Sequence, residues 1–163
     1  MKSIFLRYSL AFIVALLSSY LLFVLLPVTL YSTYYLLQIF IEPYLVNSTI
    51  IINEVSFTII PACTALLAYI LLLELILLTR NLSFKLSIKI FLQGALLIFF
   101  MNLLRILLLI FIYLYFGKNY FDTIHLVFWH FISTIFVAFV WIFLVEKYKI
   151  KSIPIYSDIK SLF

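Results

Sequence analysis

The stretch from Ile90 to Phe116 reads IFLQGALLIFFMNLLRILLLIFIYLYF. Apart from Gln93, Asn102 and Arg105, its side chains are apolar, small or aromatic. An apolar run of about 20 residues or more is typical of a helix that crosses the hydrocarbon core of a membrane, which is about 30 Å thick. The stretch therefore predicts a transmembrane helix.

The composition of the whole chain favours a membrane protein as well. Of its 163 residues, 67% are hydrophobic and 10% are charged, and the mean hydropathy is +1.30. A soluble domain of this size covers its core with polar side chains, which are too few here. We expect an all-α integral membrane protein, one domain over residues 1–163, with about four transmembrane helices. The predicted spans are Ser9–Val28, Pro61–Leu78, Ile90–Phe116 and Ile124–Val145.

Two segments between the spans have their own character. Pro27 is expected to kink the first apolar region, so that the tyrosine-rich segment Thr29–Phe40 becomes an interfacial segment or continues the helix. In Tyr44–Ile60, β-branched residues surround Asn53-Glu54. This pattern predicts a short extended hairpin with its turn at that pair.

The basic residues predict the orientation of the chain. With four spans, nine of the eleven lysines and arginines fall at the two termini or in the loop after the second span. Residues 41–60 have none, and the loop after the third span has only Lys118. By the positive-inside rule, both termini are cytoplasmic and the hairpin lies outside the cell membrane. Because the cations that produce the net charge of +5 are dispersed, no nucleic-acid partner is expected.

Three polar residues from three predicted spans are expected to meet in the outer half of the membrane. Cys63 and His125 begin the second and fourth spans, and Arg105 lies about 16 Å below the outer end of the third. A long arginine side chain can extend towards that end. Asn102, one helical turn before Arg105, can hold its guanidinium.

This set of residue types favours nucleophilic chemistry. Cys63 is the only cysteine, so an internal disulfide is excluded. A buried thiol needs a neighbouring base or cation to become a nucleophile. His125 can accept its proton, and Arg105 can stabilise a thiolate or an oxyanion. One cysteine and two histidines are too few ligands for zinc, and no cofactor is expected.

Structural alternatives stay open at this point. Cys63 can be a packing residue, and Arg105 can form an interhelical ion pair with Glu74, as in a non-enzymatic scaffold or assembly protein. His130 competes with His125 for the third position. A transporter is less favoured, because the polar residues concentrate in one half of the predicted membrane region.

Three segments in this order resemble the exosortase/archaeosortase family over about residues 50–141: PACTA from Pro61, NLLRI from Asn102 and HLVFW from His125. The form of the core resembles the archaeal members. The resemblance implies that Cys63 is the nucleophile, Arg105 the stabiliser and His125 the third member, with Asn102 and Thr64 in support. Ala65 departs from the family pattern, which usually has glycine there.

The resemblance also implies a membrane-embedded thiol protease and transpeptidase. Such an enzyme cleaves the C-terminal sorting tails of surface-protein precursors on the outer face. It then transfers the new C-terminus to a membrane lipid or another acceptor.

Overall fold

The computed structural model describes residues 4–128, 132–150, 152 and 154. It is mostly helical (76%) and contains a small three-stranded sheet. The helices are α1 (Ile4–Leu17), α2 (Leu22–Leu37), α3 (Leu66–Leu78), α4 (Phe84–Phe116), α5 (Lys118–Val127) and α6 (Ser133–Lys147). The strands are β1 (Tyr44–Val46), β2 (Thr49–Ile52) and β3 (Val55–Thr58).

Within the described residues, two helical stretches are long and apolar enough to cross a membrane. The first, Phe5–Leu37, comprises most of α1, the 3₁₀ turn Ser18–Leu21 and α2. The second, Phe84–Phe116, is α4 and contains the predicted span Ile90–Phe116. Helix α3 is also apolar but shorter.

Helix α4 ends at Phe116, as predicted, but it begins at Phe84 rather than Ile90. The Ser83 hydroxyl accepts a hydrogen bond from the Leu86 backbone N–H at 3.3 Å and so caps the first turn. Lys85 and Lys89 are exposed on this added part of the helix. Hydropathy alone places the start too late, because a helix can begin in polar surroundings.

The segment after Pro27 continues α2 to Leu37 and does not form a separate interfacial segment. Its buried residues, Thr29, Leu30, Thr33 and Leu37, recur at helical spacing. Proline removes only one backbone donor, and packing of this face maintains the helix. Of the two alternatives left open for Thr29–Phe40, the structure shows the continued helix, as far as Leu37.

The predicted hairpin is present as β2 and β3, with its turn at Asn53-Glu54. Both turn residues have positive φ, 46° and 68°, as in the tight turns that match the twist of paired strands. The sequence did not predict β1, which pairs antiparallel with β2 through a turn at Asn47, where φ is 54°. The result is a meander of three strands.

The predicted span Ile124–Val145 overlaps two described helices, α5 and α6. Gly117, with φ 83°, separates α5 from α4. His125 consequently lies in the last turn of α5 and not at the beginning of a helix. Trp129 and His130 lie outside the described residues, and so do the cations Lys2, Lys151 and Lys160.

The chain divides into two compact units. The first contains α1, nearly all of α3, α4 up to Ile98, and α6. In its core, Leu72 and Leu144 approach Gly94 so closely that a Cβ there would lie 2.5 and 3.0 Å from their methyl carbons. The Arg7 guanidinium, only 2% exposed, donates to the Leu78 carbonyl at the end of α3 at 3.2 Å.

The second unit contains α2, the sheet, the rest of α4, and α5. Its core joins α2, the strands and α4 through buried aliphatic side chains. These are Leu30, Leu37, Ile50, Ile52, Ile59, Ile106 and Ile110. Cys63 packs against this cluster, so the candidate site lies beside a rigid apolar core.

We predict that Leu72→Ala destabilises the protein by about 2–5 kcal/mol, because it leaves a cavity opposite Gly94. The neighbouring Leu71→Ala, at a position that is 41% exposed, is the control and should unfold close to wild type. Thermal unfolding in detergent micelles, followed by circular dichroism, measures both variants. Equal losses would contradict the packing of α3 against Gly94.

Candidate functional site

Cys63 lies in a 3₁₀ turn, Pro61–Thr64, between β3 and α3. The Cys63 backbone N–H donates to the Ile60 carbonyl at 2.8 Å. The Thr64 hydroxyl, which is fully buried, donates to the Pro61 carbonyl at 2.8 Å. Proline at the start of the turn and these two bonds restrict its backbone, so that a half-buried thiol is presented on a rigid support.

Ala65 ends this turn in the left-handed conformation, with φ 57° and ψ 30°. A Cβ makes this conformation unfavourable, and glycine adopts it without that cost. Ala65 is the position at which the family pattern usually has glycine. The backbone therefore adopts a glycine-type conformation here, although the residue is alanine.

Two side chains of α4 bind the backbone carbonyl of Cys63. Asn102 donates to it through Nδ2 at 2.9 Å, and Arg105 donates through a terminal guanidinium nitrogen at 3.5 Å. Both side chains are buried, with 4% and 8% exposed. The structure thus brings Cys63, Asn102 and Arg105 together. Asn102 binds the cysteine carbonyl, whereas the sequence suggested that it holds the guanidinium.

The bond to the Cys63 carbonyl places the charge of Arg105 beside the residue that bears the thiol. Two further polar atoms of this group are buried and have no hydrogen-bond partner in the described part of the chain: Asn102 Oδ1 and Arg105 Nε. The first is an acceptor and the second a donor. Buried polar atoms in native proteins are normally paired, so leaving these two unpaired lowers the stability of the folded chain.

The sequence did not point to Thr33, which is fully buried on α2. Its hydroxyl is a third buried polar atom for which the described residues provide no partner. Thr33 follows Leu30 by three positions and precedes Leu37 by four, so all three lie on one helix face. Leu30 and Leu37 belong to the same buried cluster as the strands and Ile106 of α4, so this face is directed towards the core of the second unit. Helical periodicity after Pro27 was the signal that could have identified it.

His125 is half-buried and contacts the ring of Phe121, with ring centroids 5.4 Å apart. Phe121 in turn contacts Tyr113 at 5.6 Å, and Tyr113 contacts Phe57 of β3 at 5.3 Å. A row of aromatic rings therefore links α5 to α4 and the sheet. Of the predicted site residues, Asn102 and Arg105 contact the Cys63 carbonyl. His125 contacts the ring of Phe121.

Glu74, the alternative partner of Arg105, lies on α3 in the first unit, whereas Arg105 belongs to the second.

Over the residues that the structure describes, no group of three or more histidine, cysteine or acidic side chains could hold a metal ion.

No protein-family model matches this chain, no curated protein matches its sequence, and no solved structure matches its fold. The arrangement around Cys63 and the resemblance of the three motifs are therefore the basis for a function.

We predict opposite effects of the same substitution at two positions. Ala65→Gly should stabilise the protein by up to about 1 kcal/mol, because it removes the strain of the left-handed conformation. Ala68→Gly, inside α3, should destabilise it by about 0.5–1 kcal/mol through lost helix propensity. The midpoints of thermal unfolding in detergent compare the two variants. A loss at both positions would contradict the left-handed conformation of Ala65.

We further predict that Asn102→Ala destabilises the protein by about 1–3 kcal/mol, because the buried Cys63 carbonyl loses its shorter hydrogen bond. Gln38→Ala is the control: its amide donates to the Tyr34 hydroxyl at a similar distance, 2.9 Å, but on the surface. The control should change stability by less than about 0.5 kcal/mol. Equal effects in chemical unfolding would show that the bond to Cys63 adds no stability.

Proposed function

We propose that this chain is a membrane-embedded thiol peptidase and transpeptidase of the exosortase/archaeosortase type. The observation that carries the proposal is the pair of hydrogen bonds from Asn102 and Arg105 to the Cys63 carbonyl. These bonds join the two motifs, PACTA and NLLRI, at the sulfur-bearing residue. A cation beside the only thiol of the chain is what nucleophilic cysteine chemistry needs.

In the proposed reaction, the Cys63 sulfur attacks a peptide carbonyl carbon and its proton moves to His125. The carbonyl oxygen gains negative charge, which Arg105 stabilises. The C–N bond then breaks, and the leaving amine takes the proton from His125. A thioester on Cys63 results. Attack by water completes proteolysis, whereas attack by another nucleophile completes transpeptidation, and either restores the thiol.

We further infer that the chain is a multi-pass protein of the cell membrane, with cytoplasmic termini and Cys63 facing the outside. The two membrane-length helices and the apolar α3 support this placement. The distribution of charge supports the orientation: α2, the sheet and the turn before α3 contain no lysine or arginine. In this arrangement, the sheet belongs to the outer side.

The substrates that fit this proposal are surface-protein precursors with C-terminal sorting tails. A hydrophobic tail helix can lie in the same bilayer and bring the peptide bond before it to Cys63. The acceptor is a membrane lipid or another nucleophile.

The first test is labelling of Cys63 in intact cells with a membrane-impermeant maleimide. We expect rapid labelling of wild type, no labelling of Cys63→Ala, and roughly tenfold slower labelling of Arg105→Ala, because the cation beside the thiolate is lost. His125→Ala should also be slower. Arg105→Lys keeps the charge, so its labelling rate should lie between those of wild type and Arg105→Ala. Lys118→Ala, which removes an exposed cation of α5, is the control and should label like wild type.

The second test is mass spectrometry of surface proteins from the native host. We expect precursors that retain hydrophobic C-terminal tails to accumulate in Cys63→Ala and in Arg105→Ala. The proposal would be contradicted if precursors are still processed in Cys63→Ala and if Arg105→Ala is labelled as fast as wild type. The protein would then be a scaffold in which Cys63 only packs.

A further inference from the structure

The first unit contains a cavity of about 190 Å³. Its wall is mostly apolar and comes from α3, the turn after it and the first turns of α4; it includes Ile76, Leu82, Ile88 and Leu92. The polar residues at the wall are Arg7, Thr79 and Ser87. The two hydroxyls bond to backbone carbonyls of their own helices, at 2.6 and 3.1 Å. The cavity is therefore suited to a hydrocarbon group.

Positive charge predominates in the segment that forms the wall of this cavity. The Arg7 guanidinium is part of the wall. Arg80, Lys85 and Lys89 are exposed on the same segment, whose acidic residue is Glu74, next to the wall residue Leu73. The N-terminus of α4, where the helix dipole is positive, adds positive potential to the same segment.

An apolar cavity beside a cluster of cations has the chemistry of an anionic phospholipid, with a hydrocarbon chain and a negative headgroup. We propose that the cavity of the first unit binds one acyl chain of an anionic phospholipid, whose phosphate lies against Lys85 and Arg80. Basic pockets between membrane helices bind anionic headgroups in this way. The proposal concerns α1, α3 and α4 of the first unit only, and it is independent of the chemistry proposed for Cys63.

The test is native mass spectrometry of the full chain in detergent, delipidated and then titrated with dioleoyl-phosphatidylglycerol or dioleoyl-phosphatidylcholine. The acyl chains are identical, so a difference reports the headgroup. We expect wild type to bind phosphatidylglycerol at least about fivefold more tightly, the effect of one nearby cation. Equal binding of the two lipids would overturn the proposal.

Two lysines provide a matched pair for the headgroup. Lys85 and Lys118 are both exposed and both lie in the first turn of a helix. Lys85→Gln should weaken the binding of phosphatidylglycerol by about fivefold, and Lys118→Gln should leave it unchanged. Similar losses in the two variants would indicate general attraction by net charge and would contradict a site at the cavity.

Two serines provide a matched pair for the acyl chain. Ser87 is at the cavity wall and Ser18 is not. Each hydroxyl donates to a carbonyl about one turn earlier, at 3.1 Å for Ser87 and 2.8 Å for Ser18. Ser87→Phe should fill the cavity and abolish the binding of both lipids, whereas Ser18→Phe should bind like wild type. Circular dichroism checks the fold, and if Ser87→Phe fails to fold, the lysine pair decides.

Inorganic phosphate distinguishes a lipid site from a simple anion site. Phosphate in millimolar excess should not displace bound phosphatidylglycerol, since it cannot fill the apolar cavity. Complete displacement of the lipid by phosphate would show that the cavity does not hold the acyl chain. Undiminished lipid binding by a folded Ser87→Phe would show the same.

Discussion

The hydrogen bonds that Asn102 and Arg105 donate to the Cys63 carbonyl determine how the second unit is organised. They connect the middle of a long apolar helix with a turn in which the chain changes from strand to helix. Burying an amide and a guanidinium in apolar surroundings is costly unless both are bonded. The carbonyl of Cys63 offsets part of that cost, and the aliphatic cluster of α2, the sheet and α4 maintains the geometry.

That cost is only partly offset. Asn102 Oδ1, Arg105 Nε and the Thr33 hydroxyl have no partner among the described residues. A packing role alone would favour apolar side chains at these positions, since buried polar atoms without partners lower stability. Polar side chains bonded to the residue that bears the only thiol of the chain are therefore consistent with the peptidase proposal.

Local patterns in the sequence predicted several elements correctly. The apolar run from Ile90 to Phe116 predicted all of α4 except its first turns, and Asn53-Glu54 predicted the turn between β2 and β3. The same patterns were insufficient where packing outweighs propensity. Pro27 left open whether the next segment continues the helix, and the buried face of Thr29, Leu30, Thr33 and Leu37 continues it. His125 was assigned to a helix start, but Gly117 lets α5 begin earlier, so the histidine lies in its last turn.

The sequence by itself determined that the chain is helical and apolar, and that one thiol, one arginine and their neighbours are the candidates for chemistry. These conclusions need only composition and spacing, because an isolated charge in a long apolar run is unfavourable wherever the run lies. Only the tertiary structure decided which groups meet. The bonds from Asn102 and Arg105 to Cys63 and the cavity beside Arg7 depend on contacts between residues far apart in the chain. Local periodicity contains no information about such contacts.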